Sequence, residues 1–157
     1  MKITLICIGK TDETYLETGI NKYLNRLKHY INFNMVLLPD IKNNKNITIE
    51  QQKLKEAQQI LKQIDATDTV ILLDEWGKAY RSVDFAKQLN QYLLNSIQHL
   101  VFIIGGPYGF DQAILNRAQS KLSLSSMTFS HQMIRLFFVE QLYRAFSILR
   151  GEPYHNE

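Results

Sequence analysis

Residues 100–110 read LVFIIGGPYGF, and this stretch decides the fold. Leu100–Ile104 is a short β-rich apolar run of the kind found in strands buried on both faces. It runs directly into Gly105-Gly-Pro-Tyr-Gly-Phe110, and Asp111 is placed to cap a helix carrying Ile114, Leu115 and Ala118. Upstream, Thr69–Asp74 (TVILLD) has the same character, Trp76-Gly-Lys78 reads as a turn, and Ser82 as the cap of a helix burying Phe85, Leu89 and Leu93. Further upstream, Lys2–Gly9 reads as the first strand. From Asp12 to about Tyr30, Leu16, Ile20, Tyr23, Leu24 and Leu27 fall on one helical face, with Thr11 or Asp12 as its cap. A second strand is expected over about Met35–Leu38, followed by a polar surface loop, Lys42–Asn46. Thr48 and Gln51 have capping-box form and open a helix whose face is Leu54, Ala57, Leu61 and Ile64, ending near Asp65. Downstream come a short Ser-rich strand near Leu122–Ser125 and a last long helix, about His131–Leu149. Strands alternating with helices predict an α/β fold with a mainly parallel sheet and flanking helices.

At 157 residues with 45% hydrophobic side chains, the chain suits one domain, 1–157, and is short for two. No internal repeat or linker divides it. The net charge of +3 suits an anionic partner without marking a dedicated nucleic-acid arm. The basic excess lies early, since residues 1–47 hold seven Lys/Arg against four acids. Cys7 stands alone, which excludes an intrachain disulfide framework, and its apolar setting marks it as inert core. No apolar stretch has the length of a signal peptide core or a membrane span, so the cytoplasm is the expected location. His29, His99, His131 and His155 give no metal-ligand spacing, and no metal is expected.

In an open α/β sheet, ligands gather at the carboxyl ends of the strands, which points to the loops after Leu73, Ile104 and Leu124. Gly105 and Gly106 would let a ligand approach the backbone, while Pro107 removes an amide and weakens a phosphate-cradle reading. No G-x-G-x-x-G follows the first strand and there is no G-x-x-x-x-G-K-[ST], so neither a dinucleotide fold nor a P-loop is indicated. Taken alone, the glycine pair fits a structural turn as well as a binding loop. Leu122–Phe129 (LSLSSMTF) alternates hydroxyls with apolar residues; its pattern favours a Ser-rich turn, with a polar-edge binding segment as the sharper alternative. The last helix carries His131, Arg135, Glu140 and Arg144 among many apolar residues, which implies burial. Pairing of Glu140 with Arg144 at i,i+4 is favoured over a catalytic Glu140. The tail Gly151-Glu-Pro-Tyr-His155 reads either as a frayed end or as part of a composite site.

The stretches GGPYGF and SLSSMTFSHQMIRLFFVEQLYRAFSILRGEPYH, with MKITLICIGK and VILLDEWGK, closely resemble the RlmH family of ribosomal RNA large-subunit pseudouridine methyltransferases, within the SPOUT superfamily. The likeness covers nearly the whole chain and is least distinctive over 40–66. It implies a homodimer whose C-terminal region is threaded as a trefoil knot, with S-adenosylmethionine (SAM) held in the knot between protomers. Periodicity does not show this, and the rarity of knots would argue against it. The resemblance further implies cofactor contacts at Leu73, Gly105, Leu124, Ser125, Ser126, Met127, Thr128 and Phe129. It assigns RNA and catalytic roles to His131, Arg144, Tyr154 and His155, the tail residues facing the partner's cofactor site. Tyr108 departs from a position where acidic or small polar residues are frequent, and Ser130 from one where proline is common; both put the shape of the loops in question.

The reaction so implied moves a methyl group to N3 of a pseudouridine in large-subunit (23S) ribosomal RNA, on the assembled ribosome. Arg144 is the natural donor to the developing imide anion, and His131 or His155 the proton acceptor, with a water or carboxylate as alternatives. Two other classes stay open. A silent RNA-binding dimer is disfavoured by the intact His131, Arg144, Tyr154 and His155, and a nucleotide-dependent hydrolase by the missing phosphate-loop lysine and metal carboxylates.

Overall fold

The computed structural model describes residues 1–42 and 46–156, so Asn43, Asn44 and Lys45 of the expected polar loop lie outside the described residues. The elements alternate: β1 (Lys2–Ile8), α1 (Thr14–Leu27), β2 (Asn32–Leu38), α2 (Ile49–Leu61), β3 (Thr69–Ala79), α3 (Ser82–Leu94), β4 (His99–Ile104), α4 (Gln112–Arg117), β5 (Ser120–Ser123) and α5 (Met133–Leu149). The strands form one five-stranded sheet in the order β2-β1-β4-β3-β5, and every pairing is parallel. The expected α/β architecture with a parallel sheet and flanking helices is therefore the one observed.

Strand periodicity sorts the core into two layers. Ile3, Leu5 and Cys7 of β1 face the same side as Ile71 and Leu73 of β3 and Leu100, Phe102 and Ile104 of β4, where α1, α3 and α5 cover them. Ile6, Ile8, Val70, Leu72, Val101 and Ile103 face the other side and meet Ala57 and Ile60 of α2 and Ile114 of α4. Phe102 and Phe138 are fully buried with ring centroids 4.7 Å apart, and burying such a ring contributes roughly 1.5–3 kcal/mol. Cys7 belongs to this core, and burial pushes its thiol up to about 12 despite the opposing field of Arg135, which fits an inert residue.

Several local readings shift. Thr11 and Asp12 do not cap α1, whose N-cap is Glu13 without a side-chain bond; Thr11 is occupied elsewhere, accepting from Arg135. Ser82 lies inside α3, where its hydroxyl donates to Gln141 Oε1 at 2.7 Å, and Arg81 is the cap position. Leu93 is exposed at the end of that helix. The Thr48–Gln51 capping box is present as expected, but Leu54 and Leu61 are exposed and the buried stripe of α2 is Glu56, Ala57 and Ile60. Asp111 caps α4 through Ala113 N at 2.9 Å. Trp76-Gly-Lys78 is not a turn: β3 continues to Ala79, and both Leu73 and Lys78 pair with Leu122, so residues 74–77 bulge outward. Gly77 is required there, because a Cβ would lie 2.7–2.8 Å from the backbone of Lys121 and Leu122. β5 ends at Ser123, leaving the rest of the Ser-rich segment as loop.

Candidate active site

Three loops meet at the carboxyl end of the sheet, after β3, β4 and β5, and enclose a cavity of about 680 Å³. Its wall includes Leu73, Gly105, Leu124, Ser125, Met127, Thr128 and Phe129, with His131 and Ile134 from the entry to α5. Ser126, the remaining residue of the expected cofactor set, is not part of the wall. A cavity of this size at strand carboxyl ends is in the range of a small-molecule site. The loop after β4 is a tight turn, with Gly109 N donating to Gly106 O at 3.2 Å. A Cβ on Gly106 would sit 2.4 Å from Glu56 Oε2, so the loop packs directly on a carboxyl group that is only 3% exposed. Neither oxygen of Glu56 has a close hydrogen-bond partner. Burial raises its pKa, and the Asp40 carboxylate adds to the shift against a lowering contribution from Gln52.

The hydroxyls of the Ser-rich segment mostly order their own loop. Ser123 Oγ donates to Ser125 O at 2.9 Å, Ser125 Oγ accepts from Met127 N at 3.0 Å, and Thr128 Oγ1 donates to Glu75. Ser130, where the family pattern favours proline, holds the start of α5: its hydroxyl accepts from Met133 N and its carbonyl from Ile134 N, both at 3.1 Å. Around the mouth of the cavity large apolar groups face outward, with Trp76 86% and Met127 73% exposed.

His131 stands half-buried at the cavity wall. Burial and the Arg135 guanidinium lower its pKa, against smaller opposing effects from Asp40 and Asp12, which favours the neutral imidazole that can accept a proton. Arg135, one turn on, is completely buried, and among the described residues no ion pair includes it. Its guanidinium donates to Ile8 O at 2.7 Å, Gly9 O at 2.9 Å, Thr11 Oγ1 at 3.2 Å and His131 O at 3.2 Å. It thereby ties the end of β1 to the turn that carries His131. The sequence marks Arg135 as a buried charge without assigning it a role; its i+4 spacing from His131 is the available signal.

Arg144, Tyr154 and His155 come together elsewhere, around Glu140. Glu140 Oε1 accepts from Arg144 Nε at 3.0 Å, Arg144 Nη2 at 2.5 Å and Tyr154 Oη at 3.0 Å. The expected i,i+4 pair is thus present. Arg144 Nη1 lies 3.2 Å from His155 Nδ1, and Tyr154 Oη 3.1 Å from Tyr23 Oη on α1. Burial works against the Arg144 charge, but Glu140 more than offsets it and raises the pKa; burial and the bonds to Tyr23 and Glu140 raise that of the Tyr154 phenol. The tail is therefore packed back on the helices. These three residues do not line the 680 Å³ cavity of their own chain. Glu140 instead lines an adjoining hollow of about 420 Å³ that shares Leu122, Leu124, Ser125 and Phe129 with it. Among the described residues, no group of three or more His, Cys, Asp or Glu side chains could hold a metal ion, and no helix is long and apolar enough to cross a membrane.

Comparison with known proteins adds the lineage. The family described as "Predicted SPOUT methyltransferase" matches residues 1–155. Proteins named ribosomal RNA large subunit methyltransferase H are similar over full length: those of Flavobacterium johnsoniae and Bacteroides fragilis are each 55% identical over 157 residues, covering 100% of both chains. That of Christiangramia forsetii is 52% identical over 156 residues, covering 99% of each.

Proposed function

The chain belongs to the SPOUT methyltransferase family, and from that premise we propose that it transfers a methyl group from SAM to N3 of a pseudouridine in large-subunit (23S) ribosomal RNA. The observation that carries the reading is the convergence of the loops after β3, β4 and β5 on one cavity, whose wall takes in Leu73, Gly105, Leu124, Ser125, Met127, Thr128 and Phe129. The relatives' name supplies the substrate class. The reading takes 1–157 as one domain and Ser126 as a further cofactor contact. The family's trefoil knot belongs to the same reading.

The residues present fit the cofactor. Leu73, Ile104, Leu122 and Leu124 offer an apolar wall, and the 105–110 and 124–130 segments bring main-chain groups to its edge. The cofactor supplies an electrophilic methyl on a sulfonium. The protein then aligns the nitrogen, removes the N3 proton and supports the imide anion. Bound there, the cofactor would give up its methyl to N3, and the N3 proton would pass to a neutral imidazole of this chain. His131, at the cavity wall with a lowered pKa, suits that acceptor role; His155 is the alternative. Arg144 supports the anion, and Tyr154, bonded to Glu140 and Tyr23, holds the tail beside it.

Arg144, Tyr154 and His155 do not line their own chain's cavity, which supports a site completed by a second copy in a homodimer. The exposed Trp76, Met127, Phe129 and Phe137 offer an apolar surface for that contact. The modest charge of +3 favours an assembled ribosome over naked RNA as substrate, and a ribosomal substrate favours the cytoplasm as location. The test is transfer of an isotope-labelled methyl from SAM to assembled ribosomes lacking the modification, followed by nucleoside analysis. Label in N3-methylpseudouridine is expected. Absence of label with SAM bound would refute the substrate, and comparable methylation of protein-free RNA would refute the need for assembly.

A further inference from the structure

Two arginines flank the tail and have no part in the chemistry above. Arg26 of α1 lies over the ring of Tyr143, its guanidinium carbon 5.3 Å from the centroid, and 5.8 Å from that of Tyr23. Arg150, at the end of α5, lies 4.3 Å over Tyr30, with Nη2 3.3 Å from His29 O. The ion pairs of the described residues, Lys87–Asp84, His99–Asp68, Lys121–Asp74 and Arg144–Glu140, include neither. The rings beneath form one continuous group, since Tyr143 lies 5.8 Å from Tyr23, 5.7 Å from Tyr30 and 4.7 Å from Tyr154. Tyr154 in turn carries Arg144 at 4.7 Å. Lys22 on the same helix and Lys28 at its C-cap are exposed. The acid beside this strip, Glu152, accepts from Tyr30 Oη at 2.5 Å.

A guanidinium laid flat on a ring has its plane fixed in advance, and its N–H edges stay directed outward. Without a carboxylate to satisfy them, such edges suit phosphate oxygens, and pre-ordering lowers the entropy cost of making the contact. Aromatic and guanidinium planes side by side also match splayed bases in RNA loops. The strip continues directly from Arg144, Tyr154 and His155, and it takes in Lys22, Arg26 and Lys28, three of the seven basic residues of 1–47. We propose that Lys22, Arg26, Lys28 and Arg150 form a docking surface for the phosphate backbone of the substrate ribosomal RNA, beside the tail. This rests on the methyltransferase reading above and extends it from the reacting nucleotide to the flanking strand.

The test compares wild type with Arg26→Glu/Arg150→Glu and with Arg26→Lys/Arg150→Lys. Equilibrium binding to large ribosomal subunits is measured across a salt series, with SAM affinity, oligomeric mass and Tm followed in parallel. The charge reversal is expected to weaken subunit binding about tenfold or more and to flatten the log–log salt dependence by about 2, one for each lost phosphate contact. The lysine pair keeps most of the slope and loses part of the affinity, because charge survives and stacking does not. SAM affinity and mass stay as in wild type. Wild-type affinity and slope in the charge-reversed protein would overturn the proposal, as would a lowered Tm with binding unaltered, the signature of a packing role. If the reversals do not fold, Arg26→Gln and Arg150→Gln read the same slope singly. Wild-type protein that transfers no methyl to ribosomes would sink the functional reading and this surface with it; transfer and binding equal in wild type and variant would sink the surface alone.

Discussion

Replacing Arg135 with Met tests whether a buried cation holds the turn that carries His131 in place. The side chain is completely buried and Met restores much of its aliphatic length. Two main-chain acceptors, Ile8 O and Gly9 O at 2.7 and 2.9 Å, then lose their donor. An orphaned buried polar group costs about 1–3 kcal/mol, so the two together cost about 2–6 kcal/mol. Removing an uncompensated buried charge returns part of this, leaving a net loss of about 3 kcal/mol. For a chain of this length that lowers Tm by about 6–12 °C in calorimetry. The same variant has a kinetic signature. Burial and the Arg135 charge both lower the His131 pKa; with the cation gone, the opposing Asp40 and Asp12 fields remain and the pKa rises. The neutral imidazole then requires a higher pH, so the acid limb of kcat/KM moves upward. A Tm within about 1 °C of wild type would refute the structural argument, and an acid limb that stays put or moves down would refute His131 as the base.

Gly106→Ala would bring a Cβ to 2.4 and 2.7 Å from the two oxygens of Glu56, so the glycine loop or the buried end of the Glu56 side chain must shift; with Glu56 packed in place the loop gives way and SAM affinity in calorimetry should fall about tenfold or more, adding Glu56→Ala should restore part of it, and an Ala variant that binds as wild type would show that the loop is not held there. The raised pKa of Glu56 means the folded chain keeps this proton after the unfolded chain has lost it. Stability should therefore fall as pH rises above the ordinary carboxylate range. Glu56→Gln should flatten that part of the Tm–pH profile, and identical profiles would contradict a protonated Glu56. Mixed dimers of a Gly105→Arg protomer with a Tyr154→Ala/His155→Ala protomer should recover methyl transfer that neither parent shows; no recovery would argue against a site shared between protomers.

The parallel sheet was legible because its strands are buried on both faces. TVIL at 69–72 and LVFII at 100–104 have no polar alternation, and their cores are buried on both faces of the sheet. What local pattern misread depends on distant chain. Gly77 looks like turn chemistry, and only the close passage of Lys121 and Leu122 makes it a bulge in a longer strand. On α2 the apolar residues suggested a face centred on Leu54 and Leu61, yet a glutamate occupies the buried stripe because Gly106 leaves room for it. A pattern method assigns a carboxylate to solvent by default. The burial of Arg135 is as expected, but its role is not legible locally, since three of its four acceptors lie more than a hundred residues earlier.

The candidate site divides along the same line. The cavity residues follow strand ends, so the rule that ligands gather at the carboxyl edge of a parallel sheet finds the loops without any alignment. The group around Glu140 is different, because it exists only once the tail folds back against Tyr23 and Tyr30 of the first third of the chain. Its geometry also constrains the chemistry assigned to Arg144. The Nε and Nη2 edge is committed to one oxygen of Glu140, which holds the guanidinium rigid and half-neutralised, while Nη1 turns toward His155. An imide anion supported by Arg144 therefore meets the Nη1 edge, beside the imidazole of His155. Glu140 acts by fixing which edge is offered, so Glu140→Gln should loosen that orientation and lower kcat while leaving SAM affinity unchanged.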